Sequence, residues 1–271
     1  MPYKTLLTHV TMDRGCAARL RSTFGVAHAL GARVIGVGAQ APWPFDSAAE
    51  GGGGDYERIV QSTRADIQAA QDVFREAAAL AGCAAEWRAE IARPNDVMAR
   101  QARAADVILA YRRLSSDAST YVMPDDLLME AGIPVLFLPL REREFKVETV
   151  LFAWKNTRET RRALALSLPL LEKTRRVLLA AVCREHELER VEQELADVAG
   201  RLQDHGIAAA TLAEVDSPGA AGQKLLRIAR TDRSDLIVAG GFGHSRMREW
   251  VLGGVTQDLI ADGEHYVLMT H

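Results

Sequence analysis

The sequence predicts an α/β fold made of two tandem copies of one five-stranded, parallel-sheet unit, each sheet sandwiched between helices. Three observations predict it. Short apolar runs, suited to strands buried on both faces, alternate with longer segments of helical periodicity. The alternation occurs twice with matching residues: Lys4-Thr5-Leu6-Leu7 aligns with Glu148-Thr149-Val150-Leu151 at an offset of 144, and Asp106-Val107-Ile108-Leu109-Ala110 with Asp235-Leu236-Ile237-Val238-Ala239 at an offset of 129. Within 235–260 the second copy also sets a strand, a glycine loop and a helix start in series. Strands alternating with helices require parallel pairing through crossover connections.

In the first copy, Lys4 to Val10 is a strand, and Asp13 to Leu30 carries Leu20, Phe24, Ala27 and Leu30 at helical spacing before Gly31 ends it. Arg33 to Gly38 is the second strand. A breaker-rich loop follows, with Pro42-Trp43-Pro44-Phe45 and the glycines 51–54. Tyr56 to Ala81 is a long helix closed by Gly82, and Ala85 to Ala89 a third strand. Pro94 to Ala104 is a helix, Asp106 to Ala110 a strand, Asp125 to Ala131 part of a helix, and Val135 to Leu138 the fifth strand.

The second copy runs through Glu148 to Trp154 (strand), Arg158 to Leu171 (helix, with Pro169 expected to bend or end it) and Arg176 to Val182 (strand). His186 to Asp204 is an amphipathic helix, Ala208 to Ala213 a strand, and Ser217-Pro218 caps a helix running to Arg230. Leu236 to Ala239 and Tyr266 to Met269 are its last strands. The two offsets leave 15 more residues between the aligned strands of the first copy, which the loop at 42–54 accounts for. A boundary in the charged stretch Arg141 to Lys146 gives domains 1–141 and 147–271.

Composition sets limits on function. With 271 residues, 48% hydrophobic, 25% charged and a net charge of −3, the chain lacks the basic footprint of non-specific nucleic-acid binding. No apolar run is long enough to span a membrane, and Met1-Pro2-Tyr3-Lys4 leads into a strand without a signal-peptide pattern. Cys16, Cys83 and Cys183 are odd in number and far apart, so neither a disulfide framework nor a structural zinc site is expected. A reducing cytoplasm is the expected location.

The candidate site follows the strand at Leu236 to Ala239. The spacing is Gly240-x2-Gly243-x9-Gly253-Gly254, and Val255 to Ile260 reads as a helix start. Glycines let the backbone approach an anion, and the free N–H groups of a helix start point at it. There is no G-x4-G-K-[ST], so no lysine reaches a γ-phosphate in the P-loop manner. Gly241-x-Gly243-x-x-Arg246 lacks the third glycine of a dinucleotide fingerprint and follows a late strand, which disfavours NAD. In the first copy, Tyr111-Arg112-Arg113-Leu114 stands where the second has Gly240-Gly241-Phe242-Gly243, so that copy is expected to be degenerate as a binding site. Ser115, Ser116, Ser119 and Thr120 read as a polar loop.

The full glycine string resembles the nucleotide-binding signature of the universal stress protein family, in a tandem form. The resemblance implies two α/β sandwich domains of that family's type, ATP as the ligand of the carboxy-terminal one (ADP and AMP being the other candidates), Mg²⁺ as an accompanying ion, and homodimers. By position it implies phosphate contacts from Gly240, Gly243, His244, Ser245, Gly253, Gly254, Val255 and Thr256, and adenosine contacts from Ala153, Trp154, Val182 and Ala239. No catalytic or metal-ligating residue is implied. His244 has no evident partner that would make it a base, so a binding role without enzymatic activity is expected, a slow ATPase being left open. Two positions depart from the family pattern: Gly254 stands where Ser or Thr is usual, and Lys155 where the first strand is usually followed by Asp. They keep a second reading in play, an interaction protein of the same fold that binds no nucleotide.

Overall fold

The computed structural model describes residues 3–42, 53–112, 115–216, 219–242 and 254–271. Packing divides the chain into two compact units. One comprises Tyr3–Gly132 with Glu142–Glu144; the other comprises Ile133–Arg141 with Phe145–His271.

The amino-terminal unit contains β1 (Thr5–His9), α1 (Cys16–Leu30), β2 (Arg33–Ala39), α2 (Gly53–Ala81), β3 (Ala85–Glu90), α3 (Pro94–Gln101), β4 (Val107–Ala110) and α4 (Pro124–Glu130). Its strands run in parallel in the order β3-β2-β1-β4. Leu6, Leu7, Ile35, Val107 and Ile108 are completely buried, as expected of a sheet covered on both faces. Helix α2 lies close against β2, and Gly36 makes that possible: a Cβ there would sit 2.7 Å from the Phe74 ring. The helix expected over 94–104 is α3 followed by a single 3₁₀ turn at Ala102–Ala104.

The carboxy-terminal unit contains β5 (Val135–Phe137), β6 (Thr149–Ala153), α5 (Arg158–Leu171), β7 (Arg176–Cys183), α6 (Leu188–Asp204), β8 (Ala209–Val215), α7 (Ala221–Asp232), β9 (Leu236–Gly240), α8 (Gly254–Ala261) and β10 (Tyr266–Thr270). Strands β10-β9-β6-β7-β8 are parallel. Val150, Leu151, Phe152, Leu236, Ile237, Val238 and Val267 form its buried ladder. Pro169 lies inside α5, which ends two residues later. The Ser217-Pro218 cap expected before α7 lies outside the described residues.

Two expectations need correction. The strand at Val135–Phe137 pairs antiparallel with β10, in the register Phe137–Val267, Leu136–Leu268 and Val135–Met269, so its segment packs within the carboxy-terminal unit. An apolar strand placed there hydrogen-bonds the edge that β10 would otherwise expose. The stretch 141–146, read as a charged linker, is also anchored: Phe145 is buried edge-on against Tyr266 at 4.9 Å, and Glu142 pairs with Arg21 at 2.8 Å.

The repeat read from the sequence is reproduced in the hydrogen bonding. Asp106 Oδ2 accepts from the amides of Lys4 (2.7 Å) and Thr5 (2.8 Å) at the start of β1. Asp235 Oδ2 does the same for Glu148 (3.2 Å) and Thr149 (3.0 Å) at the start of β6.

Candidate strand-end site

In an open parallel sheet, ligands bind in the crevice beyond the carboxyl ends of the strands. The register of the carboxy-terminal unit brings several expected site residues to that end. Ala153 of β6 stands beside Ala239 of β9 on one side and Ala180 of β7 on the other. Trp154 follows directly, with its amide donating to Ala180 O at 2.7 Å, and Val182 extends β7 at the same end. Gly240 closes β9.

Gly240 is under a constraint that has nothing to do with a ligand. A Cβ at this position would lie 2.5 Å from Thr160 N and 2.8 Å from Glu159 C, so only glycine lets β9 run under the first turn of α5. After it, Gly241 N donates to Thr270 O at 2.8 Å, and Phe242 takes a positive φ of 56°. Phe242 N then donates to the Thr256 hydroxyl at 3.1 Å. That bond ties the end of β9 to the first turn of α8, where Gly254 is exposed, Val255 half-buried and Thr256 buried. Gly243, His244, Ser245 and Gly253 lie outside the described residues.

Trp154 is 9% exposed, and its indole Nε1 is buried with no hydrogen-bond partner among the described residues. A buried donor left unsatisfied costs roughly 1–3 kcal/mol. The Phe152 ring lies 6.4 Å away at a 37° tilt and offers no acceptor atom.

Both a cation and carboxylates stand near this strand end. Lys155 lies just past Trp154; partial desolvation lowers its ammonium pKa, opposed by the Glu187 carboxylate. Glu159, the acid in the first turn of α5, is buried and paired with Arg158. The described strand-end residues therefore supply no uncommitted carboxylate for a metal. Asp262, Glu264 and His265 do converge, but they precede β10, at the amino ends of the parallel strands. There Asp262 Oδ2 accepts from His265 N (3.0 Å) and lies 2.7 Å from His265 Nδ1, while Arg230 spans Glu264 and Asp262. That cluster is a satisfied ion-pair network.

The equivalent end of the amino-terminal unit is filled by its own side chains. Arg19 Nη1 pairs with Asp13 Oδ1 at 2.8 Å, Arg19 Nη2 donates to Thr11 O at 3.0 Å, and the guanidinium lies 5.9 Å from the centre of the Tyr111 ring. Tyr111 OH donates to Arg19 O at 2.8 Å. What remains is a cavity of about 40 Å³ edged by His9, Thr11, Arg19 and Tyr121, room for a water or two and not for a nucleotide. The sequence shows the missing glycines but gives no signal for Arg19 as the residue that fills the space. A roomier cleft of about 410 Å³ in the same unit, lined by Phe74, Ala78, Cys83 and Trp87 with Arg75, lacks converging polar groups and lies away from the strand ends.

No protein-family model matches the chain, and no curated protein matches it in sequence. Solved structures do match in three dimensions. A universal stress protein from Archaeoglobus fulgidus DSM 4304 superposes with a TM-score of 0.70 at 14% identity, covering 98% of this chain and 95% of that one. The fold is that of a universal stress protein. A functionally unknown protein from Pseudomonas aeruginosa PAO1 superposes at 0.58, with 15% identity and coverage of 99% and 92%. The universal stress protein fold thus spans essentially the whole of this chain, both copies included. At such low identity the likeness concerns architecture; the chemistry of the strand-end site rests on this chain's own residues.

Proposed function

We propose that the carboxy-terminal unit binds one adenine nucleotide, ATP first among them, and that the protein is a cytoplasmic regulatory or stress-response protein of the universal stress type and not an enzyme. The observation that supports this most is the Phe242–Thr256 bond, which draws the glycine-led start of α8 to the carboxyl end of β9. A helix start held there offers free amides and a positive dipole end to phosphate. The small strand-end residues Ala153 and Ala239 leave space for a planar base beside Trp154. Gly240, Val182, Gly254, Val255 and Thr256, with Gly243, His244, Ser245 and Gly253 of the loop, complete the proposed set. Lys155 suits an anion better than a metal, so any Mg²⁺ would be held by the phosphates.

Isothermal titration of the full chain with ATP and ADP, with and without Mg²⁺, tests the reading; no heat at millimolar ligand would refute it. Lys155 favours one competing reading, an interaction protein of this fold without nucleotide, which ligand extracted from freshly purified protein would exclude. Homodimers are part of the proposal and are checked by sedimentation equilibrium.

A further inference from the structure

We propose that β8, the outer strand of the carboxy-terminal unit, is a homodimer interface, pairing antiparallel with β8 of a second copy about a twofold axis at Leu212. This rests on the homodimer reading above and deepens it by naming the surface and the register.

Among the described residues β8 pairs on one side only, in parallel with β7. Asp216 N donates to Cys183 O at 3.1 Å, which fixes the alternation along the strand: Ala210, Leu212 and Glu214 turn their main-chain groups to β7. Ala209, Thr211, Ala213 and Val215 turn theirs outward, with no ladder partner among the described residues. Such an edge is a template for another strand, and native proteins guard it with charge. β3, the outer strand of the amino-terminal unit, is guarded in this way: Glu86, Arg88 and Glu90 lie within its six residues, each in an ion pair. β8 carries no charge before Glu214, and Val215 is 40% exposed. A second copy fits this edge. With the axis at Leu212, Ala209 meets Val215 and Thr211 meets Ala213, so each outward N–H and C=O gains a partner. Leu212, half-buried, meets its own counterpart in a pair that exchanges no hydrogen bonds, where side chains approach most closely. Glu214 falls opposite Ala210 and is already neutralised by Lys224 at 2.9 Å, so no like charges confront each other. The contact is self-complementary and closes on itself, giving a dimer and not a filament.

Two kinds of variant of the full chain test it. Thr211→Pro deletes an outward N–H and leaves the ladder to β7 untouched. By symmetry the dimer loses this bond twice, so sedimentation equilibrium should show two chains in wild type and a dimer Kd raised about tenfold or more in the variant, with the far-UV spectrum unchanged. Leu212→Cys, in a Cys83→Ser background that leaves only the buried Cys16 and Cys183, should be joined into a covalent dimer by oxidised glutathione. Ala210→Cys in the same background should not, since its counterpart lies about 13 Å away along the paired strands. A wild-type dimer that Thr211→Pro leaves intact, or a Leu212→Cys protein that stays unlinked, overturns the β8 interface and leaves the homodimer reading standing. Should Thr211→Pro fail to fold, the two cysteine variants decide alone. Wild type that sediments as one chain at its highest soluble concentration overturns both, including a monomer that takes up an added peptide strand on this edge.

Discussion

The Phe242 amide donates to the Thr256 hydroxyl at 3.1 Å, bridging from the end of β9 to the first turn of α8. Thr256 is among the residues expected from the resemblance to contact phosphate, and in the structure its hydroxyl oxygen accepts this bond, tying the end of β9 to α8. Replacing it with the near-isosteric valine leaves the Phe242 N–H without this partner, at roughly 1–3 kcal/mol. Thr256→Val should lower the melting temperature by several degrees and weaken ATP binding by about tenfold or more. Calorimetry on the folded variant, well below its melting point, separates the two effects.

Gly240 is a steric requirement of the sheet and helix. Gly240→Val should destabilise the protein by roughly 1–3 kcal/mol or more, because its Cβ meets the backbone of Thr160, which cannot swing aside as a side chain would. Urea unfolding reads this as a lower midpoint at unchanged slope.

The filled strand ends of the amino-terminal unit bear on stoichiometry. With the amino-terminal strand ends filled by Arg19, titration of the full chain should give one nucleotide per chain. Arg19→Ala opens space but brings no glycine loop, so it should lower stability while the stoichiometry stays at one. A second equivalent bound in that variant would mean that the arginine alone had kept a competent site closed.

His9 makes stability depend on acidity. Its Nε2 lies 2.9 Å from Ala39 O; burial, reinforced by the Arg19 charge and opposed by the Ala39 contact, lowers the imidazole pKa from 6.5 to about 4. Between those values the unfolded chain holds more protons than the folded one, so stability rises with pH from about 4 to 6.5 and is lost as pH falls through that window. Melting curves at pH 4.5 and 7 for wild type and His9→Gln should show a smaller difference in the variant.

Much of the fold is legible because it depends on local pattern. Leu6-Leu7 and Val150-Leu151-Phe152 read as strands buried on both faces, and they are. Asp106 and Asp235 mark the repeat because the same carboxylate performs the same main-chain task in each copy. The partner of Val135–Phe137 was not legible: an apolar run of three residues states that it will pair, but not with which strand or in which direction. At the site, the resemblance named Ala153, Trp154 and Ala239, and the parallel register sets them at neighbouring strand ends. It gave no hint that the Trp154 N–H would be left without an acceptor, or that Arg19 would thread back across its own strand end. Both depend on side-chain paths through three dimensions, which no window of sequence contains.

The steric demand on Gly240 also bears on how a chain of this fold would drift over time. A lineage that had ceased to hold any small molecule would still be compelled to keep this glycine, because the first turn of α5 leaves nowhere for a methyl group to go. Gly254, where a Cβ would meet nothing within 4 Å, carries no such obligation and would erode sooner. Of these two glycines, Gly240 is therefore the poorer witness to a living pocket.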